Sequence, residues 1–198
     1  MKIEEHLENL KNSFKKLPGI GSKTAERLAF HLISGKKQEA IDLARTITDS
    51  INSIRKCDVC NMLSAHSPCQ FCSSTERQND LLCVVERTQD VYLLEKINNF
   101  KGRYFVLGHL ISPLDGIGPK EIDFPHLESL VKERNVSELI LAINPSSEGE
   151  STMSFISSKL ENDNLKITRL ATGLPVGGNI EFTTLKTLQN AFNHRQKI

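Results

Sequence analysis

Four cysteines within sixteen residues constrain this chain more than any other feature of its sequence. They form two C-x-x-C pairs, Cys57 with Cys60 and Cys69 with Cys72, and eight residues separate the pairs. Each pair can close a tight turn that presents two thiolates, and the spacer lets the turns face each other around one tetrahedral ion. Four thiolates leave no position open for water. The spacing therefore predicts a structural zinc site.

Other uses of the cysteine cluster stay open at this point. Clustered cysteines also serve as redox pairs, as iron–sulfur ligands or as thiols without a ligand. The thioredoxin-like context that a redox pair requires is not recognisable here. His31 and His66 are candidate substitute ligands, which four thiolates in register make unnecessary. The fifth cysteine, Cys83, lies in the apolar run LLCVV and is interpreted as a buried hydrophobic residue.

The charge of the chain is unevenly distributed. Residues 1–56 carry eleven Lys and Arg against seven Asp and Glu, a net charge of +4, and the remainder carries fourteen against seventeen, a net charge of −3. A polyanion such as DNA should therefore meet the N-terminal part first. No apolar run is long enough to span a bilayer, and the chain begins with an acidic amphipathic pattern. We therefore expect a cytoplasmic protein without a membrane partner.

The segment LPGIGSKTAERLAF predicts a helix, a short Gly-x-Gly hairpin and a second helix. Gly19 and Gly21 permit backbone angles and close approaches that a side chain would prevent, so amides of the hairpin and of the next helical turn can face a ligand. A DNA phosphate there would meet the positive helix end and Lys23, with Arg27 one turn further along the same face. This helix-hairpin-helix pattern predicts DNA binding.

Two alternatives remain for this segment. The letters GSKT resemble the end of a P-loop, but Ser22 stands where that motif requires glycine, and a helix rather than a strand precedes it. Ser22 is instead the expected N-cap of the second helix. The other alternative is an ordinary corner between two helices with solvated charges. The positive charge of the N-terminal quarter favours the DNA contact.

From residue 81 onward short apolar runs alternate with helical patterns. The runs LLCVVE, RYFVLG, ELILAI and KITRLA are separated by VYLLEKI, FPHLESLV and SFISSKL. Strand and helix in alternation predict a parallel sheet with helices packed on its faces. Functional residues of such sheets lie at the carboxyl ends of the strands.

Three carboxylates follow the first and third predicted strands. They are Glu86, at the end of the first strand, and Glu148 and Glu150, in the predicted loop NPSSEGE. Carboxylates at strand ends can hold Mg²⁺ and polarise a phosphodiester. Asn144 and Ser146 stand where a metal enzyme would profit from aspartates, so we predict no catalytic residue. Weak Mg²⁺ binding is one alternative, and a structural role near a helix capped by Ser151 is another.

The order of these motifs resembles a known family. The stretches LPGIGSKTAERLAFHL, C-x2-C-x8-C-x2-C, VVERTQDVYLLE, PLDGIGP, LAINPSSEGE and GLPVGG resemble, in that order, the RecR family of recombination mediators over essentially the whole chain. The resemblance implies an α/β protein in four parts. These are a helix-hairpin-helix DNA-binding region (1–54), a four-cysteine zinc finger (55–78), a Toprim domain with a parallel sheet and flanking helices (79–171) and a C-terminal oligomerisation segment (172–198).

The same resemblance implies a function in the bacterial cytoplasm, at the nucleoid. Members of the family form rings, expected to be tetramers of paired dimers, that can encircle DNA. With the mediators RecO and RecF they help to load the RecA recombinase onto single-stranded gaps. The expected ligands are therefore gapped, single-stranded and double-stranded DNA. Glu86 and the stretch from Glu148 to Glu150 are expected to dock partner proteins.

The resemblance also keeps one alternative function open. Toprim domains occur in Mg²⁺-dependent nucleases, topoisomerases and primases, whose Asp-x-Asp pair would fall at Asn144 and Ser146. Both aspartates are absent here, which favours a mediator that is not an enzyme. The chain departs from the family's pattern at Ser22, Thr172 and Asn179.

Overall fold

The computed structural model describes residues 3–195, so the first two and the last three residues lie outside the description. The chain divides into two compact units, Met1–Ile54 and Arg55–Ile198. None of the helices in the described part combines the length and the apolar character that crossing a membrane requires.

The first unit consists of three amphipathic helices. They are α1 (Ile3–Lys15), α2 (Ser22–Ser34) and α3 (Lys37–Ser53), and α1 and α2 flank the hairpin as the segment LPGIGSKTAERLAF predicts. Helix α2 packs with Ala25 and Ala29, which are completely buried. These two small side chains lie on one stripe of α2, and they allow neighbouring backbone to approach closely.

The apolar side of α3 remains open. No residue of α3 is buried within the described part of the chain. Ile47 is 52% exposed and Ile51 is 70% exposed, although both belong to the apolar stripe of the helix. An uncovered stripe of this kind is typical of a surface that meets another molecule.

The cysteine segment opens the second unit. Two short antiparallel strands, β1 (Arg55–Lys56) and β2 (Leu63–Ser64), flank the first cysteine pair. A single helical turn, α4 (Gln70–Ser73), carries Cys72 of the second pair. A segment with this little regular structure cannot enclose a hydrophobic core of its own. Its folding therefore depends on packing against the sheet that follows.

A parallel four-stranded sheet with helices on its faces confirms the predicted α/β fold. Its strands are β3 (Leu81–Val85), β4 (Arg103–Val106), β5 (Glu138–Ala142) and β6 (Lys166–Arg169), in the spatial order β4-β3-β5-β6. The connecting helices are α5 (Thr88–Glu95), α6 (Phe124–Glu133) and α7 (Ser147–Leu160). Strand order reverses between β3 and β5, and at such a switch point the loops after the strands diverge and leave a crevice.

The two faces of the sheet bury different partners. Leu82, Val84 and Phe105 share one core with side chains of α6 and α7. Cys83, Val85 and Tyr104 point to the opposite face, where they share a core with Val91 of α5 and with the cysteine segment. Alternating strand residues therefore build two cores, and the cysteine segment belongs to one of them.

The C-terminal part follows β6 and carries little buried surface. It contains a single 3-10 turn (Ile180–Phe182) and helix α8 (Leu185–Asn193), neither of which has a buried residue. Phe182 is 83% exposed and Leu185 is 85% exposed. The last three residues of the predicted C-terminal segment, 196–198, lie outside the described residues.

Candidate functional site

The structure brings the four predicted cysteine side chains together. The sulfur atoms of Cys57, Cys60, Cys69 and Cys72 all lie within 4.8 Å of one another. The sulfur atoms of Cys60 and Cys69 are 3.6 Å apart. Thiolates bound at about 2.3 Å to one tetrahedral ion would be separated by about 3.8 Å. The geometry therefore fits a soft, four-coordinate metal ion with no open position, which is a structural site.

Tight turns in the backbone aim the sulfur atoms inward. The amide of Cys57 donates to the carbonyl of Met62 at 2.8 Å, and the amide of Asn61 donates to the carbonyl of Cys57 at 2.9 Å. Asn61 adopts a left-handed conformation, with φ of 61°, which asparagine tolerates better than most residues. In the second turn the amide of Cys69 points at the sulfur of Cys57, at 3.3 Å.

The thiol groups strongly influence one another's ionisation. Hydrogen bonds with Cys69 and Cys72, together with burial, raise the pKa of Cys60. Hydrogen bonds from Cys60 and Cys72 lower the pKa of Cys69. Burial raises the pKa of the fifth thiol, Cys83, to about 12, so this thiol stays protonated at neutral pH. The four clustered sulfurs are thus the metal-binding set, and Cys83 is a core residue.

The cysteine segment is fastened to the sheet at the edge strand β4. The amide of Val106, in β4, donates to the carbonyl of Cys60 at 2.9 Å. The amide of Leu63 donates to the hydroxyl of Thr88, at the start of α5, at 3.1 Å. The first cysteine turn therefore occupies the outer side of an edge strand, which parallel sheets usually leave unpaired.

The hairpin between α1 and α2 is a tight turn built on proline and glycine. The amide of Ile20 donates to the carbonyl of Leu17 at 3.2 Å, with Pro18 and Gly19 between them. Gly19 has φ of +79°, a left-handed conformation that this position of a type II turn requires. The predicted need for glycine at position 19 thus has a conformational cause.

Helix α2 begins without a side-chain cap. Gly21 is the N-cap and Ser22 is the first helical residue, so the prediction that Ser22 caps the helix was wrong. Gly21 has an ordinary φ of −83°, and a Cβ built there would meet nothing within 4 Å. The protein itself therefore places no constraint on position 21. An open approach to the free amides of the first turn is what a bound phosphate would need.

The two predicted basic contacts lie on the outer side of α2. Lys23 and Arg27 are exposed, whereas Ala25 and Ala29 face inward. Residues four apart lie on one face of a helix, so the two cations are neighbours at the uncapped end. Within residues 3–195 neither side chain forms an ion pair or a hydrogen bond, so both are free to contact a ligand.

The predicted acidic residue at the end of β3 is already paired. Glu86 follows Val85 directly, and its carboxylate accepts from the guanidinium of Arg87 at 2.8 Å and 2.9 Å. Its side chain is only 13% exposed. Both contacts use the same oxygen, Oε1, so one side of this carboxylate is already paired with a cation.

The acidic stretch after β5 lies in a helix rather than in a loop. Helix α7 begins at Ser147, and the side chain of Ser146 caps it by accepting from the amide of Gly149 at 3.1 Å. Glu148 and Glu150 therefore lie in the first helical turn, where negative charge stabilises the helix dipole. The expectation of a loop here, with a helix capped by Ser151, was wrong.

The three carboxylates do not form a metal cluster. Both oxygens of Glu150 accept from Arg169, at 2.8 Å and 3.0 Å. In the described part of the chain the four cysteines are the only group of three or more metal-binding side chains close enough to hold an ion. The hydroxyl of Ser146 is used as a helix cap. Among the described residues, Glu86, Glu148 and Glu150 are therefore separate side chains rather than one set of metal ligands.

Gly149 separates the two glutamates for a steric reason. A Cβ at this buried position would lie 1.9 Å from the carbonyl oxygen of Asn144, which is backbone and has little freedom to move. We expect Gly149→Ala to lower the free energy of unfolding by about 1–3 kcal/mol. Urea unfolding followed by circular dichroism measures this. Gly173→Ala is the control, since its Cβ would meet Ala191 at an ordinary 3.9 Å, and equal losses in both variants would contradict the argument.

A cavity of about 270 Å³ lies beside Glu86, between the cysteine segment and the ends of β3 and β4. Its lining includes Lys56, Arg87 and His109. Lys56 and His109 could not be predicted from the sequence, because they belong to no motif. The attachment of the cysteine segment to the sheet brings Lys56 to Glu86, whereas His109 follows β4, which pairs with β3, and the amide of Gly108 donates to the carbonyl of Glu86 at 2.9 Å.

Two protein-family models match the chain in separate regions. The model described as "RecR, helix-hairpin-helix" matches residues 7–51. The model described as "Toprim domain" matches residues 80–171. The first region contains the hairpin with Lys23 and Arg27, and the second contains the parallel sheet with Glu86.

Curated relatives match the chain along its entire length. The "Recombination protein RecR" of Staphylococcus aureus strain MRSA252 is 43% identical over 198 residues, which is 100% of both chains. The proteins of the same name from strains Mu3 and Mu50 are also 43% identical over 100% of both chains. The similarity therefore includes the helical unit, the cysteine segment, the sheet and the C-terminal part.

Proposed function

Because this chain belongs to the RecR family of recombination proteins, we propose that it is a DNA-binding mediator of recombinational repair. The family acts in recombination and is not enzymatic, so its Toprim domain is not a catalytic centre. We accordingly assign no catalytic residue. The residues at the strand ends agree with this, since Asn144 and Ser146 supply no carboxylate and Glu86 is paired with Arg87.

The uncapped start of α2 is the observation that carries the DNA-binding proposal. Gly19 and Gly21 shape an open approach to free backbone amides, and Lys23 and Arg27 add two exposed cations on the adjoining face. Amides and cations of this kind contact phosphates and therefore bind DNA with little regard to sequence. Such a contact suits gapped, single-stranded and double-stranded DNA alike.

Zinc is the metal we propose for the cysteine cluster. Four thiolates, of which those of Cys57, Cys60 and Cys69 are buried, favour Zn²⁺ over harder cations such as Mg²⁺, which prefer oxygen ligands. The ion would be held by Cys57, Cys60, Cys69 and Cys72 and would supply folding free energy rather than chemistry. The cysteine residues would then hold the β1–β2 hairpin and α4 against β4.

Self-association would give a weak DNA contact the strength that it lacks. A single non-specific site binds DNA with a dissociation constant of about 10⁻⁴ to 10⁻⁶ M. The chain exposes apolar side chains on α3, such as Ile51, and separately in the C-terminal part, such as Phe182 and Leu185. Two different self-complementary faces can join paired dimers into a closed ring, a tetramer that multiplies the contacts.

The Toprim surface is the part we propose for partner proteins. Glu86, Glu148 and Glu150 would dock the mediators RecO and RecF, and together these proteins would load RecA onto gaps in the bacterial cytoplasm. The cavity beside Glu86 adds Lys56 and His109 to that surface. A surface with charges of both signs favours specific docking over non-specific association.

Gapped DNA tests the proposed function directly. Incubating the zinc-loaded protein with labelled gapped DNA and Mg²⁺ should give a shifted band whose strands remain intact. Shifted DNA with intact strands supports the mediator, because a Toprim enzyme would nick, join or extend the strands in the same tubes. Glu86→Gln is the matched variant, and it should leave the shift unchanged.

Two results would contradict this proposal. Nicked or extended strands that disappear in Glu86→Gln would restore the enzyme alternative. Absence of a shift, with an assembled ring confirmed by light scattering, would mean that the chain does not bind DNA by itself.

A further inference from the structure

Arg103 places a buried guanidinium against the second cysteine turn. The residue begins the edge strand β4 and is only 7% exposed. Its nitrogen atoms donate to four acceptors. These are the side-chain oxygen of Asn79 at 2.7 Å and the backbone carbonyls of Phe71 at 2.8 Å, of Cys72, and of Ser74 at 2.9 Å. The side chain therefore holds the turn that carries Cys69 and Cys72 in place by hydrogen bonds.

Within residues 3–195 the guanidinium has no carboxylate partner. All four of its acceptors are neutral, and a buried cation without an anion is strongly unfavourable. The guanidinium nevertheless lies beside the cysteine cluster, because it donates to the carbonyls of Phe71 and Cys72 in the turn that carries the second cysteine pair. Thiolates bound to a metal in that cluster would supply the missing negative charge.

Four thiolates around one divalent cation carry a net charge of −2. We propose that Arg103 is the counter-charge of this metal–thiolate group, and that the protein retains its metal through the charge of Arg103 as well as through the four cysteines. This inference rests on the proposed zinc site. Arg103 is a positioning residue here, since it contacts the ligand-bearing turn and not the ion.

Two roles of Arg103 can be separated by substitution. One role is the positive charge, and the other is the fan of hydrogen bonds to three backbone carbonyls. Arg103→Lys keeps the charge but cannot reach all four acceptors, because an ammonium lacks the planar fork of a guanidinium. Arg103→Gln removes the charge and keeps a polar side chain that can still donate. The lysine variant should therefore behave like the original chain if charge is what matters.

The rate of zinc release to excess chelator, followed with a zinc-sensitive dye, measures retention of the metal. We expect release from Arg103→Gln to be faster by about tenfold or more, as for other residues that support metal ligands. Release from Arg103→Lys should stay within about threefold of the unchanged protein. The visible spectrum of the cobalt-substituted protein should show that tetrahedral thiolate coordination persists in both variants.

Arg77→Gln is the matched control. Arg77 lies over the ring of Phe71, 4.8 Å from its centroid, so it is close to the same turn. It has its own anion, because it donates to Glu95 at 2.6 Å. Removing it should leave zinc release near that of the unchanged protein.

The possible outcomes distinguish a wrong role for Arg103 from a wrong zinc site. If the unsubstituted protein is purified and found to contain no zinc, the proposed metal site is wrong. If the unsubstituted protein does contain zinc, two results would overturn the role of the charge of Arg103 and leave the metal site in place. One is release of zinc from Arg103→Gln at the original rate, and the other is equally fast release from Arg103→Lys and Arg103→Gln. If Arg103→Gln does not fold, Arg103→Lys decides the question, since only the charge hypothesis predicts near-normal release from it.

Discussion

Replacing Cys57 or Cys72 with serine is expected to give aggregated or wrongly assembled protein rather than soluble, inactive protein. Structural zinc supplies about 10–16 kcal/mol of apparent binding free energy, which is comparable to the entire stability of a typical domain, about 5–15 kcal/mol. The cysteines share a core with Tyr104 and Val106 of the sheet. Loss of the metal should therefore unfold part of the sheet unit as well. Metal content, soluble yield and light scattering measure the effect.

Cys83→Ala is the control for the cysteine variants. Cys83 is buried in the same core but lies outside the cluster of four thiols. Its substitution should cost only the packing of one small side chain and should leave the metal content unchanged. A Cys72→Ser protein that is soluble, fully assembled and free of metal would show that the metal contributes much less than we infer.

The double substitution Lys23→Ala/Arg27→Ala is expected to weaken DNA binding by about tenfold to a hundredfold and to flatten its salt dependence. Each phosphate contact that is lost reduces the slope of log affinity against log salt by about one. Both side chains are exposed and form no ion pair within residues 3–195, so the fold should be unaffected. A salt titration of binding to gapped DNA measures both quantities.

Lys36→Ala/Lys37→Ala is the matched control for the basic face. It removes the same charge from the same helical unit, at the start of α3 rather than of α2. Lys36 is 82% exposed and, among the residues that the structure describes, its side chain pairs only with Glu39, so the change should not affect folding. Equal binding curves for the two double variants would mean that net charge matters and that the helix-hairpin-helix does not.

Much of the fold could be predicted from the sequence, because local patterns of apolar residues indicate which side chains are buried. The run LLCVV became the central strand β3, which is covered on both faces and therefore needs apolar residues at every position. The cysteine spacing was sufficient to bring four sulfurs together, since a C-x-x-C pair has few ways to turn. The segment LPGIGSKTAERLAF likewise placed α1 and α2 on either side of the hairpin.

Details of the candidate sites depended on contacts that no local pattern reports. Arg103 lies about thirty residues beyond the cysteines, and only the pairing of β4 with the cysteine turn brings it to Cys72. The start of α7 was misplaced because Ser146, Ser147 and Ser151 are all acceptable caps by sequence. In the structure Ser146 is the cap, since its hydroxyl accepts from the amide of Gly149. Helix α8 was not predicted, since it is short and buries no residue.

The cysteine turn also covers part of the outer edge of β4. An exposed strand edge with an apolar sequence such as RYFV is a template on which other chains can add strands. The carbonyl of Cys60 occupies part of that edge only while the cysteine turn is formed. A chain that has not acquired its metal would thus expose this strand edge and would be prone to aggregation. Metal loading would in this way act as quality control, because subunits without metal would aggregate before they could enter the ring that we propose.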